Sequence, residues 1–416
     1  MDIKTQDAEV YKIIEGEKLR QKEGLEMVAS ENYVSEAVLE AMGSIFTNKY
    51  SEGFPGKRYY GGQEFTDKIE SLAQKRALEL FGLNEEEWYV NVQPYSGSPA
   101  NLEVFFALAN FGDTLMGMSL AQGGHLTHGH KVNFSGKAYN FVQYDLTEND
   151  QRIDYDQVRR LAKEHKPKII VSGGTAYPRQ IDFKKFSEIA KEVGAIHMAD
   201  IAHIAGLIVG GVHPSPFPDV DVVTTTTHKT LRGPRGGIII CKSEYAKAIN
   251  RAVFPGMQGG PHEHVIAAKA IAFGEALKPE FKEYAKRIVE NMDCFGKTLQ
   301  SFDFDLVSGG TDNHLVLVDL RSKDITGKDF EDALGKAGIT VNKNAIPDDP
   351  LSPMVTSGIR VGVAALTTRG MGVPEMQRIA EIFNLVYENR DKAEKLEELK
   401  NEVAAICKNF PVPGIE

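Results

Sequence analysis

Near the N-terminus apolar side chains recur at Val10, Ile13, Ile14, Leu19, Leu25 and Val28, the three-to-four spacing of a helix face. The pattern predicts one or two helices ending near Ala29, an arm able to wrap a partner subunit. Between residues 47 and 64 the period stops. The segment TNKYSEGFPGKRYYGGQE is rich in glycine, tyrosine and proline and keeps neither a helical nor a strand repeat. Irregular loops of that length in a compact chain tend to carry function.

From residue 66 onward helical patterns alternate with short apolar runs at 89–93, 168–173, 195–199, 220–225 and 237–241, most of them rich in Val, Ile or Thr. Such alternation predicts an α/β fold with a mostly parallel sheet under covering helices. After a helical stretch at 261–277 the alternation weakens. Strand-like segments at 314–319 and 357–362 then mix with helices, and a long helical pattern ends the chain. The expected division is an N-terminal arm and large domain over 1–277 and a smaller α/β domain over 278–416.

Composition changes this picture only by exclusion. The 416 residues carry 48 Lys and Arg against 58 Asp and Glu, a net charge of −10 with the two signs interspersed, which gives no support to a nucleic-acid or membrane-surface partner. Cys241, Cys294 and Cys407 are far apart and odd in number, so neither a disulfide framework nor a zinc motif is expected, and a reducing cytoplasm fits them. The first residues lack an apolar core of signal-peptide length, so no export or anchoring is expected.

Ligands of open α/β sheets bind beyond the carboxyl ends of the strands. After 89–93 comes PYSGSPAN, where Ser96, Gly97 and Ser98 precede a helix that Pro99 can begin, a natural phosphate cradle. After 195–199 comes Asp200, with His203 beyond it, and after 220–225 come Thr226, Thr227, His228 and Lys229. A lysine that forms a Schiff base and an aspartate that keeps a pyridine nitrogen protonated suit a pyridoxal phosphate site. Each feature has a plainer reading: an SGS turn is commonly an N-cap, a strand-end Asp a turn residue, a lone Lys a solvated charge. Their order at neighbouring strand ends is what points to a site. His125, His128 and His130 in GGHLTHGH invite a zinc reading, but no cysteine or carboxylate stands nearby in sequence, and a ring stacked on a planar cofactor suits one of them better. No metal is expected.

At VVTTTTHKTLRGPRGG, residues 222–237, the chain resembles serine hydroxymethyltransferase of the bacterial type. The likeness continues through ASEN at 29–32, NKYSEGFPGKRYYGG at 48–62, GGHLTHG at 123–129, FPGMQGGP at 254–261, SGGTDNH at 308–314 and SGIRVG at 357–362. It implies the aspartate-aminotransferase-like type I fold, pyridoxal 5′-phosphate as cofactor, and a cytoplasmic homodimer with active sites shared between subunits. The implied reaction is reversible transfer of the hydroxymethyl group of L-serine to tetrahydrofolate, a step of one-carbon metabolism and glycine biosynthesis.

The same resemblance implies residue roles. Lys229, Glu52, Tyr60, Thr226 and His228 match catalytic positions. Ser96, Gly97 and Ser98 match the phosphate contacts, with Gly259 and Gly260 reaching it from the other subunit. His125, Thr175, Asp200, His203, Arg235 and Tyr50 match the remaining cofactor contacts. Arg360, assisted by Ser30, matches the clamp on the substrate carboxylate. Leu120, Gly124, His125, Leu126 and Asn344, with Ser352, Pro353 and Met354, match the substrate side on which the pterin lies.

The chain departs from the family pattern at Tyr95, where His is usual, at Pro99 for Gln, at Thr175 for Ser, at Met354 for Phe, and at Val363-Ala364-Ala365 for Thr-Pro-Ala. Two rival readings share the scaffold: another pyridoxal phosphate aldolase or hydroxymethyltransferase, such as a threonine aldolase or an α-methylserine hydroxymethyltransferase, and a catalytically silent binding protein. Glu52, Tyr60 and Asn344 speak against the first, and Lys229, Asp200 and Arg360 against the second.

Overall fold

A computed structural model describes residues 2–415, so the outermost residue at each end of the expected two-domain division lies outside the described residues. The apolar runs between residues 88 and 242 form one seven-stranded sheet. Its strands are β1 (Trp88–Asn91), β2 (Thr114–Met118), β3 (Asn140–Tyr144), β4 (Ile169–Ser172), β5 (Ile196–Asp200), β6 (Val222–Thr226) and β7 (Gly237–Lys242). In space they lie in the order β1-β7-β6-β5-β4-β2-β3. Within this sheet β7 alone runs against the rest, paired antiparallel with β1 and β6, while the remaining pairs are parallel. Strands β2 and β3 are additions to the sequence reading.

Helices cover both faces, which is why the strands read as continuous apolar runs rather than alternating ones. Side chains still sort by the period of two: Ile169 and Val171 enter one core and Ile170 the other. Helix α2 (Gly97–Leu108), which follows α1 (Ala8–Glu23), fills the first of these cores with Val104 and Phe105. Helices α3 (Glu263–Ala276) and α4 (Pro279–Ser301) follow the sheet, and α4 opens on a proline that gives up no needed N–H. A second sheet contains β8 (Asp305–Leu306), β9 (Leu315–Asp319), β10 (Asn342–Asn344) and β11 (Gly358–Gly362) in the order β8-β9-β11-β10, all antiparallel. Val316, Val318, Ile359 and Val361 of this sheet share a core with Ile170 and Val223 of the first.

The N-terminal expectation needs correcting. Helix α1 stops at Glu23, before Ala29, because the next main-chain donors are taken elsewhere: Leu25 N–H bonds Gly338 O at 3.0 Å and Met27 N–H bonds Thr340 O at 2.8 Å. Leu25 and Glu26 thereby add a parallel pairing with Ile339 and Thr340. Leu25 is buried, whereas Val10, Ile13, Ile14 and Leu19 of the arm are exposed in the single chain. The loop at 47–64 holds a two-residue hairpin, Gly53–Phe54 with Lys57–Arg58. Among the described residues no helix is long and apolar enough to cross a membrane.

Candidate active site

Six of the seven strands point their carboxyl ends the same way, and the residues that follow them converge on a cavity of about 340 Å³. Ser96, Gly97 and Ser98 come from the end of β1, His125 from the loop after β2, and Thr175 from the end of β4. Asp200 and His203 come from β5, and Thr226, His228 and Lys229 from β6. Arg235 precedes β7, Ser30 follows the arm, and Arg360 enters from β11 of the second sheet. Thirteen residues expected at the site from the sequence thus line one cavity. The close approach of β4 to β5 rests on Gly173: at φ +129° it occupies backbone space disfavoured for other residues, and a Cβ there would stand 2.2 Å from Asp200 O.

Burial lowers the Lys229 amine to about 8, against the opposing charge of Asp200, with Arg360 and Arg235 adding to the fall. Its Nζ makes no hydrogen bond among the described residues. Burial alone would raise the Asp200 carboxyl; instead hydrogen bonds and charge from its neighbours hold it well below the usual carboxylate range. Asp200 Oδ2 accepts from Asn101 Nδ2 at 2.8 Å and lies 3.1 Å from His128 Nε2, and Oδ1 accepts from Ala202 N–H at 3.1 Å. The carboxylate is therefore ionised and fixed, able to hold a proton on a ring nitrogen placed against it.

The phosphate expectation shifts by two residues. Helix α2 begins at Gly97 rather than Pro99, with Ser96 at the N-cap, and the Ser96 side chain makes no capping bond. The N-terminal N–H groups and both serine hydroxyls are thus left for an anion at the positive end of a twelve-residue helix. Opposite, Arg360 is lowered to about 10 by burial and donates to Thr175 O at 2.8 Å and Asn342 Oδ1 at 3.2 Å, with no carboxylate partner among the described residues. An uncompensated buried guanidinium calls for an anionic ligand. His203 lies 3.2 Å from His314, ring nitrogen to ring nitrogen, and burial holds both imidazoles below their ordinary range. Buried amine, ionised carboxylate, open helix N-terminus and free guanidinium together fit pyridoxal phosphate carrying an amino acid.

Other expected residues gather outside this cavity. Glu52 accepts from Tyr50 Oη at 3.1 Å and from Tyr60 Oη at 3.3 Å, beside Gly259 and Gly260, and both tyrosines are exposed. Leu120, Gly124, Leu126, Asn344, Ser352, Pro353 and Met354 do not line it either. Asn344 instead donates to Ala345 O at 2.7 Å, and Met354 is exposed.

Asn101 and His128 were not identified as site residues from the sequence. Asn101 sits one turn beyond the SGS loop, and that spacing was the available signal. The histidine cluster also gains the carboxylate it lacked in sequence: ligand atoms of His125, His128 and Asp200 lie within 4.8 Å of one another. The hydrogen bond from His128 to Asp200 already employs that contact.

The family model described as serine hydroxymethyltransferase matches residues 3–383. The match spans both sheets and every lining residue of the cavity. The chain belongs to the serine hydroxymethyltransferase family, pyridoxal-5′-phosphate-dependent transferases of the type I fold that interconvert serine and glycine with tetrahydrofolate.

Proposed function

We propose that Lys229, Asp200 and Arg360 divide the work of this reaction within the cavity. The observation that carries the reading is Arg360, buried without a carboxylate and opening onto the same cavity as the lowered amine of Lys229. When bound, pyridoxal 5′-phosphate supplies an electron sink for the bond that breaks at the amino-acid Cα. Lys229 attaches it, Asp200 holds the proton on its pyridine nitrogen, and Ser96, Gly97 and Ser98 bind its phosphate. His125 would stack on its ring, and His203, Thr175, Thr226, His228 and Arg235, which line the same cavity, would hold its polar groups. Arg360 binds the serine carboxylate as a planar bidentate donor, with Ser30 beside it. Glu52 moves the proton at the serine hydroxyl, in a pocket walled by Tyr50 and Tyr60. Leu120, Gly124, Leu126, Asn344, Ser352, Pro353 and Met354 form the pterin side.

The same reading makes the protein a homodimer in which Glu52, Tyr50, Tyr60, Gly259 and Gly260 serve the partner's cavity. Their grouping away from the chain's own cavity and the exposed apolar face of α1 support it. Three scattered free thiols support a reducing, cytoplasmic setting. The two sheets support a division at 277/278, with the pairing of Leu25 and Glu26 joining the arm to the smaller part.

Glycine formation from serine, measured with and without tetrahydrofolate, tests the reading. Stimulation by folate of at least about tenfold is expected, and Lys229→Gln should abolish it. Equal rates in both conditions would replace the transferase with an aldolase.

A further inference from the structure

Beneath the loop at 93–98 a lysine amine is sealed inside the protein, and burial lowers it to about 7. Lys269, in the middle of α3, is 1% exposed, and its Nζ donates to Val92 O at 2.7 Å, Gly237 O at 2.8 Å and Pro94 O at 3.2 Å. Three carbonyls match the three N–H groups of an ammonium ion; a neutral amine would turn a lone pair toward one of them. The immediate neighbours of Lys269 on α3, Ile266, Ala268, Ala270 and Phe273, are buried and apolar, and the carboxylates that favour its charge are Glu103, Glu70 and Glu263.

The surroundings are cut to fit it. A Cβ at Gly236 would stand 2.5 Å from Lys269 Cε and 3.1 Å from its Nζ, and a Cβ at Gly237 would stand 2.7 Å from Ser96 O. Gly237 N–H also bonds Pro94 O at 3.1 Å, so the start of β7 and the end of β1 are joined twice, once directly and once through the lysine. On α2, whose first turn lines the cavity, Glu103 is fully buried with both carboxylate oxygens lacking a hydrogen-bond partner. Burial pushes its carboxyl up to about 8, and Lys269 is the cation that opposes the rise.

We infer that Lys269 is a positioning residue for the cofactor phosphate: by fixing the carbonyls of Val92, Pro94 and Gly237 it holds Ser96, Gly97 and Ser98 in the conformation that receives the anion. The inference rests on the reading of those three residues as the phosphate cradle. Lys269 touches neither cofactor nor substrate, and its effect reaches the site through the main chain.

The test is to titrate the apo forms of the wild type and of Lys269→Met with pyridoxal 5′-phosphate and with pyridoxal, following visible absorbance. The ratio of the two dissociation constants reads the hold on the phosphate alone. In Lys269→Met the preference for the phosphorylated form should shrink by at least about tenfold, while affinity for pyridoxal stays within about twofold. An unchanged ratio, or equal losses for both ligands, would overturn the inference. Should Lys269→Met fail to fold, Gly236→Ala keeps the lysine but crowds its Cε, and a narrowing of about threefold or more is expected; no narrowing there overturns it equally. A wild type that binds both ligands alike would instead remove the cradle reading, and this inference with it.

Discussion

The side-chain amide of Asn101 donates to Asp200 Oδ2 at 2.8 Å and to Thr127 Oγ1 at the same distance, while its own oxygen accepts from Thr224 Oγ1 at 2.6 Å. An amide saturated in this way cannot turn, and it fixes the carboxylate beneath the cavity. Asp200→Asn should lower serine turnover by about two orders of magnitude or more, the scale of losing a positioned proton-holding group. Asn101→Leu should cost about tenfold, since the carboxylate stays but loses one charge-assisted hydrogen bond. Single-turnover rates at saturating cofactor check both, and equal losses would mean that Asn101 does more than orient Asp200.

The lowered pKa of Lys229 sets a pH profile. The neutral amine is the nucleophile, so its fraction rises with pH until the group is deprotonated, near 8 here against an ordinary 10.5. Reconstitution of the apoenzyme at limiting cofactor should speed up about tenfold per pH unit well below 8 and level off above it. Stopped-flow absorbance gives the profile, and a rate still climbing toward the ordinary lysine value would show that burial has no such effect.

Sharing of active sites can be read from mixed dimers. Lys229→Gln and Glu52→Gln are each expected to be inactive alone. After joint unfolding and refolding, the hybrid regains one intact site if Glu52 serves the partner's cavity, giving about a quarter of wild-type activity from a statistical mixture. Without sharing every site carries one defect, and the mixture stays dead.

His197 links stability to acid. Its ring nitrogens lie 2.8 Å from Ser172 Oγ and 2.7 Å from Ser187 Oγ, and burial holds it at about 3 against an ordinary 6.5. The unfolded chain therefore takes up a proton below 6.5 that the folded chain refuses, so this contribution is intact above 6.5 and lost as pH falls toward 3. Between pH 6.5 and 5 the loss from this residue is about 2 kcal/mol. In urea unfolding, the stability gap between wild type and His197→Gln should narrow by that amount over the same interval. A constant gap would place the acid sensitivity elsewhere.

Strands β4 and β6 were legible because each is a short branched run ending in a polar residue, Ser172 or Thr226, while β5 was marked by the Asp200 that ends it. Strand β2 was not, since TLMGM has little β-branched character and carries Gly117 next to its end. The end of α1 was misread because Leu25 and Val28 continue the helical spacing, and the competing acceptor on Gly338 lies more than three hundred residues away. Distance in sequence also hid the tie of His128 and Asn101 to Asp200, a tertiary fact to which the GGHLTHGH cluster and the turn after the SGS loop gave only partial local signals. Lys269 was hidden differently, as one cation within the apolar run VIAAKAIAF at 265–273.

The pairing of Leu25 and Glu26 with Ile339 and Thr340 reaches further than the arm. A few residues along the same strap, Asn32 Nδ2 donates to Lys229 O at 2.9 Å and to Tyr284 Oη at 2.7 Å, and Gly362 N–H at the end of β11 bonds Met27 O at 2.8 Å. One taut ribbon thus runs from the sheet bearing Arg360 to the back of the turn bearing Lys229. The clamp on the carboxylate and the peptide of the nucleophile therefore share one support, held by Met27 O at one end and by Asn32 at the other.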